Sequence, residues 1–247
     1  MSISKFGYAI KNYGLKKCLK KFKTVTHCIF DLDGTILDNQ HKVDEAYAKV
    51  FRKHGKTYSL DWRLKVMGRT GKSTWQTVAK ELKLKIGWKS LYQQYRESAK
   101  DTLTLAPLRP GVEKLINHLY KHKIPMAIAT SSKKTSFTAK TKHIKHLISK
   151  FHHVLSGGDD YRVTESKPSG QIFSVCASFF EANPHPRFCL VFEDSPVGVL
   201  AAKNACMQVV GVPCKPTPWT ALQQATEVVD SLEDFFPERY GLPPYSK

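Results

Sequence analysis

Thr26-His27-Cys28-Ile29-Phe30-Asp31-Leu32-Asp33-Gly34-Thr35 runs from short, β-branched and aromatic residues straight into two carboxylates and a glycine. The run is too short for a helix and lacks polar alternation, so Thr26 to Phe30 reads as a strand buried on both faces. The same behaviour recurs at Ile124 to Ala129, Val154-Leu155, Cys189 to Phe192, Gln208 to Val212 and Glu227 to Val229. Helical periodicities lie between these runs, at Gly111 to His122, Thr135 to Lys150, Gln171 to Glu181, Pro196 to Ala205 and Pro218 to Gln224. Strands alternating with helices imply βαβ units and an α/β fold with a parallel sheet covered on both faces.

One stretch breaks the alternation. Residues 39–105 carry helical periodicities at Val43 to His54, Ser73 to Leu82 and Ser90 to Thr102, and no convincing buried strand. They read as a helical insertion that leaves through Ala106-Pro107-Leu108-Arg109-Pro110-Gly111, where proline and glycine start the next helix. The expected organisation is a basic extension over 1–25, a core made of 26–38 and 106–247, and the insertion between.

The chain has 247 residues, 41% hydrophobic and 24% charged, enough for a sizeable core. No apolar run approaches the roughly 18 residues of a membrane span, so no membrane partner is expected. Cys18, Cys28, Cys176, Cys189, Cys206 and Cys214 form no Cys-x-x-Cys pair and read as reduced thiols of a cytoplasmic protein. His118 with His122, and His143 with His146, lack a third ligand and read as solvated helix-face residues. The formal net charge of +18 suits nucleic acid, an anionic surface or anionic small molecules. Part of it sits in Lys5, Lys11, Lys16, Lys17, Lys20, Lys21 and Lys23, within a segment free of acids and of arginine, which makes mitochondrial import the minor alternative for this segment.

In an open parallel sheet ligands bind at the carboxyl ends of the strands, where Asp31 and Asp33 stand. Their mutual repulsion asks for a cation. Cys189 to Phe192 ends similarly in Glu193-Asp194-Ser195-Pro196, which is either a good helix N-terminus or a second set of acids. If the two strand ends are neighbours, Asp31, Asp33 and Asp194 present the hard oxygens that suit Mg²⁺. Thr130-Ser131-Ser132, after another strand, reads either as a helix cap or as an anion site. Lys167 lies before a further helix, where a buried ammonium would neutralise an aspartate and a transferring group.

These four segments, in this order, resemble the haloacid dehalogenase superfamily, with Asp31 and Asp33 at its first motif, Thr130 at the second, Lys167 at the third and Glu193 with Asp194 at the fourth. The resemblance covers Thr26 to the C-terminus and implies a Rossmann-like core whose insertion resembles the C1 cap. It also implies a Mg²⁺-dependent phosphatase acting on a small phosphorylated metabolite. Asp31 would attack phosphorus and Asp33 would act as acid and then base, with Thr130 and Lys167 positioning the phosphoryl oxygens. Asp31, Asp33 and Asp194 would hold the metal, with Glu193 as an auxiliary ligand, and Ser131 would touch substrate. Cys189 to Pro196, Met207 to Val210 and Gly241 to Tyr245 resemble the phosphatases acting on pseudouridine 5′-phosphate, making a nucleoside monophosphate the preferred substrate and a sugar phosphate the alternative.

Departures from the superfamily pattern sharpen this. Asp33 argues for phosphate chemistry, because dehalogenases usually lack the second acid. Val43 and Gly71 stand where the β-phosphoglucomutase relatives place a histidine and an arginine, which weakens a mutase reading. After Lys167-Pro168 many relatives continue Pro-Asp-Ile-Phe; here Ser169-Gly170-Gln171-Ile172-Phe173 lacks the acid, so a softer helix start and a looser Lys167 are expected. Gly68 to Thr74 resembles a phosphate-binding P-loop, but Val66 replaces the required first glycine. Its Arg69 and Lys72 remain candidates for substrate contact. The reading from another class is a basic module that binds RNA or an anionic partner, against which the intact acids and Lys167 speak.

Overall fold

In this computed structural model, residues 22–99 and 105–246 are described; residues 1–21, which hold most of the lysine-rich extension and Cys18, the end of the insertion at 100–104, and residue 247 lie outside them. Six strands, β1 (His27–Phe30), β2 (Met126–Thr130), β3 (His153–Ser156), β4 (Cys189–Glu193), β5 (Gln208–Gly211) and β6 (Glu227–Val228), form one parallel sheet in the order β3-β2-β1-β4-β5-β6. The chain winds outward from β1 to β3, then returns to the other side of β1 with β4. The topological switch therefore falls between β1 and β4, where Phe30 pairs with Phe192.

Alternate residues of each strand feed two separate cores. Cys28, Phe30, Met126, Ile128, Leu190 and Phe192 face one side, against α5 (Val112–Lys121) and α7 (Lys145–Ile148). Ile29, Ala127, Ala129, Cys189 and Val191 face the other, against α8 (Gln171–Ala177) and α9 (Pro196–Asn204). Both faces of the sheet are covered, as the apolar strands required. Phe30 and Phe192 stack at 4.5 Å across the switch, fixing the pair of strands that carry the acids.

The insertion comprises α1 (Gln40–Lys53), α2 (Leu60–Val66), α3 (Gly71–Glu81) and α4 (Trp88–Ala99), without a strand among its described residues. It has its own core of Tyr47, Val50, Phe51, Val66, Trp75, Val78 and Leu91. Its entry and exit run side by side, with Leu37 bridged to Leu108 and Asp38 N–H donating to the Pro107 carbonyl. Hydrogen bonds that seat it on the main sheet's loops include Ser131 Oγ to the Gly68 carbonyl (2.9 Å) and Thr70 N–H to Ser166 Oγ (3.0 Å).

Several expectations change. The helix α2 was not foreseen; it is seven residues long, too short for a clear period, and is started by Ser59, which accepts the Trp62 N–H. Thr135 to Lys150 is not one helix: α6 (Lys134–Thr141) passes through a 3₁₀ turn over Lys142–Ile144 into α7. The helix expected over Pro218 to Gln224 is a 3₁₀ turn, Trp219–Leu222, a four-residue run entered from Pro218, the length at which the tighter turn is common. His118 is not solvated: it is buried and hydrogen-bonded to the Pro243 carbonyl. His122, His143 and His146 are exposed, as expected, with His143 Nε2 2.8 Å from the Ala106 carbonyl. Residues 22–25 pack on the core, Phe22 against Tyr240 and Val25 N–H to the Tyr240 carbonyl.

Candidate active site

Strand pairing brings the acids together. The Asp31 N–H donates to the Phe192 carbonyl (3.0 Å), continuing the β1–β4 ladder so that Asp31 leaves the sheet beside Glu193 and Asp194. Between Asp31 and Glu193 sits Lys167, 1% exposed, its Nζ 2.6 Å from Asp31 Oδ1 and 2.5 Å from Glu193 Oε1. The second Glu193 oxygen accepts the Asp194 and Ser195 N–H groups and the Ser195 hydroxyl. Ser195 in turn caps α9 by accepting the Gly198 N–H. The Glu193 carboxylate thus holds Lys167 through one oxygen and the start of α9 through the other.

The turn after β1 closes over Asp194. Gly34 has φ +88°, and a Cβ at this position would overlap the Asp194 carboxylate. Only glycine meets both the backbone and the space requirement. The other Asp194 contact is a hydrogen bond from Cys214 Sγ to Oδ2 (3.1 Å).

Asp33 points elsewhere. Its carboxylate receives Lys140 Nζ on both oxygens (2.7 and 2.8 Å), Ser132 Oγ (2.9 Å) and the Asn39 amide. Thr130, at the end of β2, is buried, and its Oγ1 accepts the Ser132 N–H (3.1 Å), which shapes the loop holding Ser132 on Asp33. Ser131, expected to touch substrate, spends its hydroxyl on Gly68 of the insertion. Arg69 donates back to the Lys65 carbonyl and Lys72 is exposed; neither contacts an acid of the cluster.

The electrostatics divide the cluster. Burial raises Asp31 to about 7, with Lys167 opposing and Glu193 adding to the rise. Burial, Glu193 and Asp31 together push Asp194 well above the usual carboxylate range. Burial also acts on Asp33, but Lys140, Asn39 and Ser132 more than offset it and hold the group below its ordinary value. Around Asp31 and Asp194 three buried carboxylates share one ammonium, an excess of negative charge that only a proton or a cation relieves. Among the described residues no three His, Cys, Asp or Glu side chains form a metal cage. Asp33 is covered by Lys140 on both oxygens and Glu193 is met on both of its own, whereas Asp31 carries Lys167 on one oxygen and Asp194 only the Cys214 thiol. Two carboxylates with main-chain and water oxygens are the kind of donor set that suits Mg²⁺, so the residues present fit such an ion.

Lys167 is not loosened by the missing acid after Pro168. The Gln171 side-chain oxygen takes the Glu165 N–H (2.7 Å), and Asn204 Nδ2 holds the Pro168 carbonyl (2.9 Å), fixing the lysine loop from both sides. The participants not foreseen are Asn39, Ser132, Lys140, Arg63 and Cys214. Ser132 had a signal, being next to Thr130 and Ser131. Lys140 had none that set it apart from Lys133, Lys134, Lys142 and Lys145.

The haloacid dehalogenase-like hydrolase family profile matches residues 28–212. A probable pseudouridine-5′-phosphatase of Drosophila melanogaster is 38% identical over 227 residues, covering 92% of this chain and 98% of the relative. A (DL)-glycerol-3-phosphatase of Arabidopsis thaliana is 34% identical over 225 residues, covering 90% and 93%. In fold, the chain is similar to a β-phosphoglucomutase of Clostridium difficile, with a TM-score of 0.73 at 23% identity over 88% of this chain and 98% of the other. With a parallel sheet whose switch point gathers Asp31, Lys167, Glu193 and Asp194, the chain belongs to the haloacid dehalogenase-like hydrolase family and is a phosphatase.

Proposed function

We propose that the enzyme hydrolyses a small phosphate monoester through a covalent phosphoryl group on Asp31. The observation that carries this is the meeting of Asp31 and Asp194 at adjacent strand ends, with Lys167 against Asp31 and excess negative charge around all three. Asp31 attacks phosphorus as the bond to the ester oxygen breaks, leaving an aspartyl-phosphate and an alkoxide that takes a proton from Asp33. The charge of an arriving phosphate raises the proton affinity of Asp33, which its ion pair with Lys140 otherwise keeps low. In the second half Asp33, again a carboxylate, removes a proton from water as that water attacks phosphorus and releases Asp31. Lys167, Thr130 and the N–H groups after β2 hold the equatorial oxygens.

Asp31 and Asp194, with the Asp33 main-chain oxygen, would hold Mg²⁺. The ion supplies Lewis-acid stabilisation of the phosphoryl oxygens and offsets the repulsion between phosphate and Asp31. The helical insertion serves as a cap, seated through Gly68 and Thr70, that keeps bulk water from the reacting centre.

The substrate read from the resemblance is a nucleoside monophosphate such as pseudouridine 5′-phosphate, the compound in the name of the Drosophila relative. A sugar or polyol phosphate is the second reading, favoured by the glycerol-3-phosphatases of similar length. The five described cysteines are free thiols, which suits a cytoplasmic enzyme. Steady-state phosphate release from a panel of nucleotide and sugar monophosphates, with Mg²⁺ and with EDTA, tests the reading. Metal-dependent turnover that Asp31→Asn abolishes is expected. Turnover untouched by Asp31→Asn overturns the assignment of the nucleophile, and salt-sensitive RNA binding without turnover overturns the enzyme reading altogether.

A further inference from the structure

A buried arginine of the insertion reaches almost to the proposed metal ligand. Arg63, on α2, is 2% exposed although it belongs to a helix on the molecule's outer part. Its Nη1 forms an ion pair with Asp44 of α1. Its Nη2 donates to the Cys214 carbonyl (3.2 Å) and Sγ (3.3 Å), and its Nε donates to Thr217 Oγ1 (3.3 Å). Cys214 and Thr217 lie in the loop after β5 and are themselves buried. The Cys214 thiol donates to Asp194 Oδ2. A continuous line thus runs Asp44, Arg63, Cys214, Asp194, crossing from the insertion to the sheet.

We propose that Arg63 is a positioning residue that makes seating of the insertion a condition for Asp194 to hold a divalent cation, with the Cys214 thiol as the link. A thiol is a weak donor, and a guanidinium bonded to its sulfur polarises S–H toward the carboxylate. With Oδ2 held by the thiol, Asp194 presents Oδ1 in one orientation. When the insertion lifts, Arg63 leaves with it, because its other anchor, Asp44, is on the insertion too. The thiol then loses its polarising partner and Asp194 its fixed rotamer. By linkage, cation binding favours the seated insertion as strongly as seating favours the cation. The assembly of a binding-competent Asp194 would thereby coincide with closure over substrate.

This inference rests on Asp194 being a Mg²⁺ ligand, and calorimetric titration of the full chain with Mg²⁺ separates the two. Asp194→Asn is expected to abolish binding; if it leaves Mg²⁺ affinity unchanged, the ligand assignment itself falls. Given that loss, Arg63→Met and Cys214→Ala are each expected to weaken Mg²⁺ by about tenfold, the scale for outer residues that orient a ligand. The double variant is expected to be no weaker than either single one, because both cut the same line. Effects under twofold in Cys214→Ala, or additive effects in the pair, overturn the inference while leaving Asp194 in place. Should Arg63→Met not fold, Thr217→Val, which removes one Arg63 anchor, takes its place with the same expected direction. A second readout is alkylation of Cys214 followed by mass spectrometry: Mg²⁺ should slow it in the natural chain and not in the Arg63 or Thr217 variant. Equal protection in both overturns the coupling.

Discussion

The two aspartates of the turn after β1 stand two residues apart and live in opposite electrostatic conditions. Asp33 has its charge matched: Lys140 covers both oxygens, and Ser132 and Asn39 add donors. Asp31 must share Lys167 with Glu193 while Asp194 adds further repulsion. One half of the site has its charge balanced, whereas the other carries an excess of negative charge. The cluster is therefore not a generic acidic patch: Asp33 has a lysine to itself, whereas Asp31, Glu193 and Asp194 lie around a single one.

Substitutions separate the halves by size of effect. Asp31→Asn is expected to lower kcat by about 10⁴-fold or more, the scale for losing a covalent nucleophile, with substrate binding largely kept; phosphate-release kinetics check this. Next come the two lysines. Lys167→Met leaves Asp31 and Glu193 buried without a partner and should cost about 3–5 kcal/mol of stability by urea denaturation. Lys140→Met should cost less, about 1–2 kcal/mol, because Asp33 is 23% exposed and keeps its neutral donors. Equal losses would erase the contrast between the halves.

The pH response sharpens it further. A metal ligand must be deprotonated, and Asp31 and Asp194 are both raised, Asp31 to about 7. Apparent Mg²⁺ affinity is therefore expected to rise with pH through about 7 as Asp31 loses its proton, and to fall as the pH drops through it, read by calorimetry at pH 8, 7 and 6. Without the metal the sign for stability is opposite: a carboxyl whose folded value is raised contributes fully below its unfolded value, about 4, and loses that contribution as the pH rises through about 7. The Mg²⁺-induced rise in Tm should accordingly be larger at pH 8 than at pH 5. The smallest effect is expected at Gln171→Asp, which restores the acid many relatives carry. Gln171 already supplies the oxygen that holds the Glu165 N–H, so Tm should move by only the equivalent of about 0.5 kcal/mol.

The same contrast explains what was readable in advance. Asp31, Asp33, Thr130, Glu193 and Asp194 stand out because each ends or closely follows a recognisable strand, and a parallel sheet sends strand ends to one edge, whereas Lys167 is picked out only by its company with them. The residues that complete the site are held by neither rule. Lys140 lies within a helix among four other lysines of its neighbourhood, Arg63 on a helix too short to show a period, and Cys214 in a loop with no pattern.

The sequence by itself determined the sheet, its two covered faces, the site of the insertion and the edge at which the acids gather, since these follow from periodicity and from where apolar runs end. Which acid has its charge matched and which keeps an excess of negative charge around it follows from the packed chain. Charge matching at a buried carboxylate depends on a few ångströms between side chains as far apart in sequence as Asp33 and Lys140, or Arg63 and Cys214, and only the packed chain sets those distances.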